Sequence, residues 1–93
     1  MQNPKLIVNG EIINADSRQK ADLLIENGII TKIGTGLTVA EGTEVINARG
    51  KYIFPGFIDP HVHIHLPFMG TCTKDTYDSA SRAAVVGGTT TLI

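Results

Sequence analysis

Residues 55–71 read PGFIDPHVHIHLPFMGT, and this stretch decides how the 93-residue chain is organised. Pro55-Gly56 is a turn dipeptide, and 57–64 follows as an extended run. Side chains alternate along a strand, so Phe57, Asp59, His61 and His63 are expected on one face. On a strand, residues two apart lie about 6.5 Å apart, which lets the imidazoles of His61 and His63 converge on one ion. Asp59 stands two residues before His61, where its carboxylate either orients a ligand histidine or serves as a turn residue before Pro60. His65 continues the alternation but falls ~13 Å from His61 on an extended chain, so it joins the pair only if the chain bends. Phe68 and Met69, on the loop beyond, suit either substrate contact or loop packing.

Downstream, the period shifts towards helix between Thr76 and Val86. Tyr77, Ala80, Ala84 and Gly88 fall on one side, and Asp78 and Arg82 are spaced i, i+4 on another. Asp75 is the expected N-cap, Gly87-Gly88 the stop, and the β-branched run 89–93 a strand. Residues 57–93 thus form strand, loop, helix, strand, one βαβ unit.

Upstream, Asn9-Gly10 between apolar runs at Lys5–Val8 and 11–14 predicts a hairpin, and Asn27-Gly28 between Asp22–Glu26 and 29–33 predicts a second. Runs at 44–48 and 51–54 extend the pattern into a β-meander, with a softer glycine-rich stretch at 34–42. The expected domains are 1–54, strands of a β-rich domain, and 55–93, the βαβ segment.

Composition narrows the function classes. Eight Lys+Arg against nine Asp+Glu give a net charge of −1, and only 5% of residues are aromatic. That balance offers neither a phosphate-tracking surface nor a base-stacking platform, so nucleic acid is not an expected partner. The apolar run after MQNPK is too short for a signal-peptide core or a membrane span, so the expectation is a cytoplasmic protein with no membrane partner. Cys72 is the lone cysteine. It has no internal disulfide partner, fits a reducing compartment, and is expected to be a buried or half-buried thiol without a catalytic role. A chain that stops inside an apolar strand, with one crossover helix and bare sheet edges, reads as the N-terminal part of something longer. The alternative is a stand-alone, non-catalytic β-rich binding or regulatory module.

The run Pro55-Gly56-Phe57-Ile58-Asp59-Pro60-His61-Val62-His63 resembles the Pro-Gly-x-x-Asp-x-His-x-His opening of the amidohydrolase superfamily. Leu66 to Thr71, followed by Arg82 to Thr90, is similar to dihydropyrimidinases and hydantoinases within it. The resemblance implies an α/β fold: the N-terminal part of a (β/α)₈ metal-dependent hydrolase barrel, preceded by strands of a small β-sandwich domain. It implies that His61 and His63 are metal ligands at a centre of two Zn²⁺ ions, with Asp59 supporting them and Phe68 and Met69 in the loop that shapes the pocket for the substrate's ring substituent. It further implies hydrolysis of C–N bonds in small cyclic ureides or imides to N-carbamoyl amino acids, and a homotetramer. The bridging lysine of such centres belongs on a later strand, whereas Lys5, Lys20, Lys32 and Lys51 precede the motif and Lys74 follows it directly. No catalytic residue is therefore assignable in these 93 residues, and the chain alone is expected to be inactive. His65 stands where close relatives often carry an acidic residue and dihydroorotases an arginine, which argues against dihydroorotase and leaves allantoinase-type activity open.

Overall fold

The computed structural model describes residues 3–93. The chain divides into two compact units, Met1–Pro55 and Gly56–Ile93.

The first unit carries seven strands: β1 (Lys5–Val8), β2 (Glu11–Ile13), β3 (Arg18–Lys20), β4 (Asp22–Glu26), β5 (Ile29–Gly34), β6 (Glu44–Asn47) and β7 (Tyr52–Ile53). They form a four-stranded sheet ordered β5-β4-β1-β6 and a three-stranded sheet ordered β3-β2-β7. The hairpin expected at Asn27-Gly28 is present: Glu26 pairs with Ile29 across the two turn residues, with φ of 51° and 76°. Two consecutive positive φ values make the type I′ turn whose twist matches antiparallel strands.

The hairpin expected at Asn9-Gly10 is not formed. β1 pairs with β4 and, in parallel, with β6, whereas β2 pairs with β3 and, in parallel, with β7. Asn9-Gly10 carries the chain from one sheet to the other, so the meander is corrected to a two-sheet arrangement with parallel pairs. The physical reason lies in Gly10. A Cβ on this buried residue would stand 2.9 Å from Ile53 Cγ1 and 3.1 Å from Ala48 Cβ. The glycine is needed for close approach at a crossing, a requirement that local turn chemistry does not reveal. Residues 20–22 and 47–52 cross between the same two sheets, and the three crossings are laced together. The Ala48 N–H donates to the Val8 carbonyl at 2.8 Å, the Glu11 N–H to the Lys51 carbonyl at 3.1 Å, and the Asn9 N–H to Asp22 Oδ1 at 3.3 Å.

Between the sheets lies the core: Ile12 from one, Leu23 from the other and Ala21 at a crossing, packed against Ile7, Ile25 and Ile53. Leu6 and Leu24, cross-strand partners, are buried on the opposite face of the larger sheet. Having apolar residues on both faces marks β4 as an interior strand. On the outer face of the smaller sheet, Arg18 Nη2 lies 2.6 Å from Glu11 Oε2 and its guanidinium covers the Tyr52 ring at 5.4 Å. The hydrogen bond to Glu11, then that to Tyr52, raises the Arg18 pKa above its ordinary value. β3 carries only polar residues and gives no hydrophobic signal from which a strand is read.

The second unit runs β8 (Phe57–Asp59), β9 (Pro67–Phe68), β10 (Thr71–Cys72), α1 (Tyr77–Val86) and β11 (Thr89–Leu92). β11 pairs in parallel with β8, so the expected βαβ connection is present. The N-cap is Thr76 rather than Asp75: Thr76 Oγ1 accepts from the Ser79 N–H at 3.1 Å, and Ser79 Oγ accepts from the Thr76 N–H at 3.0 Å. This reciprocal capping box satisfies two orphan amide donors, which a lone carboxylate at Asp75 would not. Asp78 and Arg82 pair at 3.2 Å, and Gly87 ends the helix. Cys72 is exposed, a correction to the expected buried thiol, because β9 and β10 form an isolated two-stranded ribbon. No helix among the described residues is long and apolar enough to cross a membrane.

Candidate metal centre

The strand carrying the histidine motif is shorter than its sequence suggests. β8 ends at Asp59, where Pro60 follows and removes a ladder donor. Asp59 Oδ1 accepts from the His61 backbone N–H at 3.1 Å, the local carboxylate cap that starts a turn. The loop stays tied to β11, since the Ile93 N–H donates to the Asp59 carbonyl at 3.0 Å and the Val62 N–H to the Ile93 carbonyl at 3.1 Å. His61 and His63 therefore project from an anchored loop just beyond the strand end.

The two rings converge. Their Nε2 atoms lie 3.0 Å apart, with ring centroids at 5.0 Å and planes inclined by 42°. One Nε2–H donates to the other's lone pair in this arrangement. The same spacing suits a shared cation: two metal–nitrogen bonds of about 2.0–2.1 Å spanning it subtend roughly 91–97° at the ion. Both rings are exposed, so a cation reaches them without displacing a packed core. The donor set is partial, because no group of three or more His, Cys, Asp or Glu converges on one point among the described residues. The Asp59 carboxylate holds the His61 backbone, and no bond joins it to an imidazole.

His65 sits at a bend with φ 49°. The chain does turn near Pro67, yet His65 does not join the pair in a three-residue donor set. Beyond it, the Leu66 N–H donates to Thr73 Oγ1 at 2.8 Å and the Thr73 N–H to the Leu66 carbonyl at 3.0 Å. These bonds close the β9–β10 ribbon, whose turn is Met69-Gly70 with φ of 50° and 80°. Phe68 and Met69 are thereby held at the ribbon tip, 65% and 88% exposed. The lacing by Thr73 escapes sequence reading, because a threonine seven residues from its partner gives no pattern. The Met-Gly pair was the available signal, since glycine at such a tip supplies positive φ. A hollow of about 440 Å³ opens beside His63, lined largely by Val62, Ile64, Leu66, Leu92 and Tyr77. The unit thus presents an imidazole pair beside an apolar recess and an exposed aromatic-methionine tip.

No family model matches the chain. D-hydantoinase of Geobacillus stearothermophilus is 54% identical over 89 residues, covering 96% of this chain, and dihydropyrimidinase 1 of Caenorhabditis elegans is 45% identical over all 93. A solved D-hydantoinase from a Thermus species is 64% identical and superposes with a TM-score of 0.88 over 95% of this chain. Over nearly its whole length the chain is similar to dihydropyrimidinases and D-hydantoinases. It spans 19% of the length of each of those relatives. The small mixed-sheet architecture matches the N-terminal β-sandwich region of the solved hydantoinases.

Proposed function

We propose that the complete protein is a metal-dependent cyclic amidase. It opens the rings of small cyclic ureides or imides by hydrolysis of a C–N bond and yields N-carbamoyl amino acids. The observation that carries this reading is the 3.0 Å convergence of His61 and His63 on a loop fixed by Asp59, in a chain 45–54% identical to dihydropyrimidinase and D-hydantoinase. In this reading 1–54 supplies strands of a β-sandwich and 55–93 the first βαβ segment of a (β/α)₈ barrel, which puts the histidines at the C-terminal end of a barrel strand, where such folds hold their chemistry.

His61 and His63 would hold one ion of a pair of divalent cations, zinc by the chemistry of imidazole donors. When bound, the ions supply Lewis-acid polarisation of the ring carbonyl and activation of the hydrolytic water. The chain's own residues position this chemistry. Asp59 fixes the His61 backbone, the bonds from Val62 and Ile93 hold the loop against β11, and Phe68 and Met69 exclude water from the ring substituent and select its shape. With two imidazoles and no third donor joined to them among the described residues, the chain by itself would lack activity. In this reading the enzyme is a cytoplasmic homotetramer, the lone cysteine fitting a reducing compartment.

The test is metal content and turnover of hydantoin and dihydrouracil by the complete protein and by its His61→Ala and His63→Ala forms. The expected result is loss of about one bound ion per protomer and at least a thousandfold loss of turnover in each variant, since a catalytic site stripped of a ligand no longer holds its ion. Full turnover in the double variant refutes the assignment.

A further inference from the structure

The three sheet-to-sheet crossings of the first unit meet at one corner, and a depression of about 300 Å³ opens there, lined by Asn9, Gly10, Lys20, Asp22, Arg49 and Gly50 among others. An adjoining depression shares Asn9, Lys20 and Gly50 and adds Lys51. Charge at this corner is unbalanced. Lys5, Arg18 and Arg82 are each paired to a carboxylate within 4 Å. Among the described residues, the ion pairs do not include Lys20, Arg49 or Lys51. Of the two local carboxylates, Glu11 is paired with Arg18 at 2.7 Å, whereas Asp22 accepts only the neutral Asn9 N–H at 3.3 Å and keeps its charge, so the three cations exceed the one unpaired carboxylate by two.

These three cations come from two segments. Lys20 ends β3 at one crossing, whereas Arg49 and Lys51 flank Gly50 at another, in a turn closed by the Lys51 N–H to the Ala48 carbonyl at 2.9 Å. Gly50, at φ 74°, sets that turn and leaves open space where a side chain would stand. From these observations we infer that the corner binds a small oxyanion, held by Lys20 and Arg49 with Lys51 at its rim. Guanidinium and ammonium donors match phosphoryl and carboxylate oxygens with charge-assisted bonds. Because the anion bridges two crossings, its binding tightens both sheets at their common corner, and the folded form gains stability by linkage.

Calorimetric titration of the full chain with inorganic phosphate and, separately, with succinate at matched ionic strength tests this, together with hydrogen exchange over residues 8–11, 20–22 and 47–51. Saturable binding with slowed exchange in those three segments is expected. Lys20→Gln and Arg49→Gln should each weaken it by about tenfold or more. Lys32→Gln, an exposed cation on β5 that does not line the depression, should leave it unchanged. Tighter binding of phosphate assigns a phosphoryl ligand, and tighter binding of succinate a carboxylate. Lack of saturation, equal weakening by Lys32→Gln, or binding that survives Lys20→Gln and Arg49→Gln overturns the inference. The last outcome would place the anion elsewhere, the metal centre included.

Discussion

Replacing Gly10 by alanine probes whether this glycine serves a crossing or a turn. A Cβ at this position meets Ile53 Cδ1 at 2.5 Å, Ile53 Cγ1 at 2.9 Å and Ala48 Cβ at 3.1 Å. Rotating Ile53 relieves only the terminal methyl, because Cγ1 lies near the backbone and the residue packs against Ile12, Ala21 and Leu23. Overpacking of this kind costs about 1–3 kcal/mol. Alanine recovers about 0.4–1 kcal/mol by restricting the unfolded chain. The net expectation is a destabilisation of roughly 0–2.6 kcal/mol, centred near 1.3, read as a lower urea midpoint with unchanged slope. Ile53→Val removes Cδ1 and should cost about 0.5–1.5 kcal/mol alone. Combined with Gly10→Ala it should cost less than the sum, with a coupling of at least about 0.5 kcal/mol, because the two changes address one contact. A cost strictly additive with Ile53→Val, as left-handed strain in an Asn-Gly turn would give, would refute the packed crossing and restore the hairpin.

Gly28→Ala separates the two Asn-Gly sites by mechanism: nothing stands within 4 Å of a Cβ there, but φ is 76°, so the cost should be about 1–2 kcal/mol of left-handed strain and insensitive to substitutions at neighbouring side chains. At the histidine loop, Asp59→Ala removes the acceptor for the His61 N–H and should weaken metal binding by the complete protein by about ten- to a hundredfold, as loss of supporting bonds does. Asp59→Asn retains an Oδ1 acceptor and should stay within a fewfold of the parent in a competition titration with a metal indicator. Equal losses in both variants would mean that the charge, rather than the cap, is what matters.

Much of the second unit was legible because its signals are local. Gly87-Gly88 stops a helix whatever surrounds it, Asp78 and Arg82 pair across one helical turn, and β-branched residues after the stop make a strand. Around the histidines the alternation placed His61 and His63 together correctly but for the wrong reason. They converge across a loop, because Pro60 and the Asp59 cap end the strand five residues earlier than the pattern implies. His65 and the Leu66–Thr73 lacing depend on a bend whose hydrogen bonds join residues far apart in sequence.

The two Asn-Gly pairs mark the boundary between what each level decides. By itself, the sequence determined the βαβ order of 57–93, the Asn27-Gly28 hairpin, the neighbourhood of His61 and His63, and the resemblance to cyclic amidohydrolases, since each rests on residues a few positions apart. Only the tertiary structure decided that Asn9-Gly10 is a crossing, that β1 lies beside β6 and β2 beside β7, and that Lys20 and Arg49 face one corner. Parallel pairing over some forty residues depends on which apolar faces can close on Ile12 and Leu23 together, and on a backbone approach at Gly10 that leaves no room for a side chain.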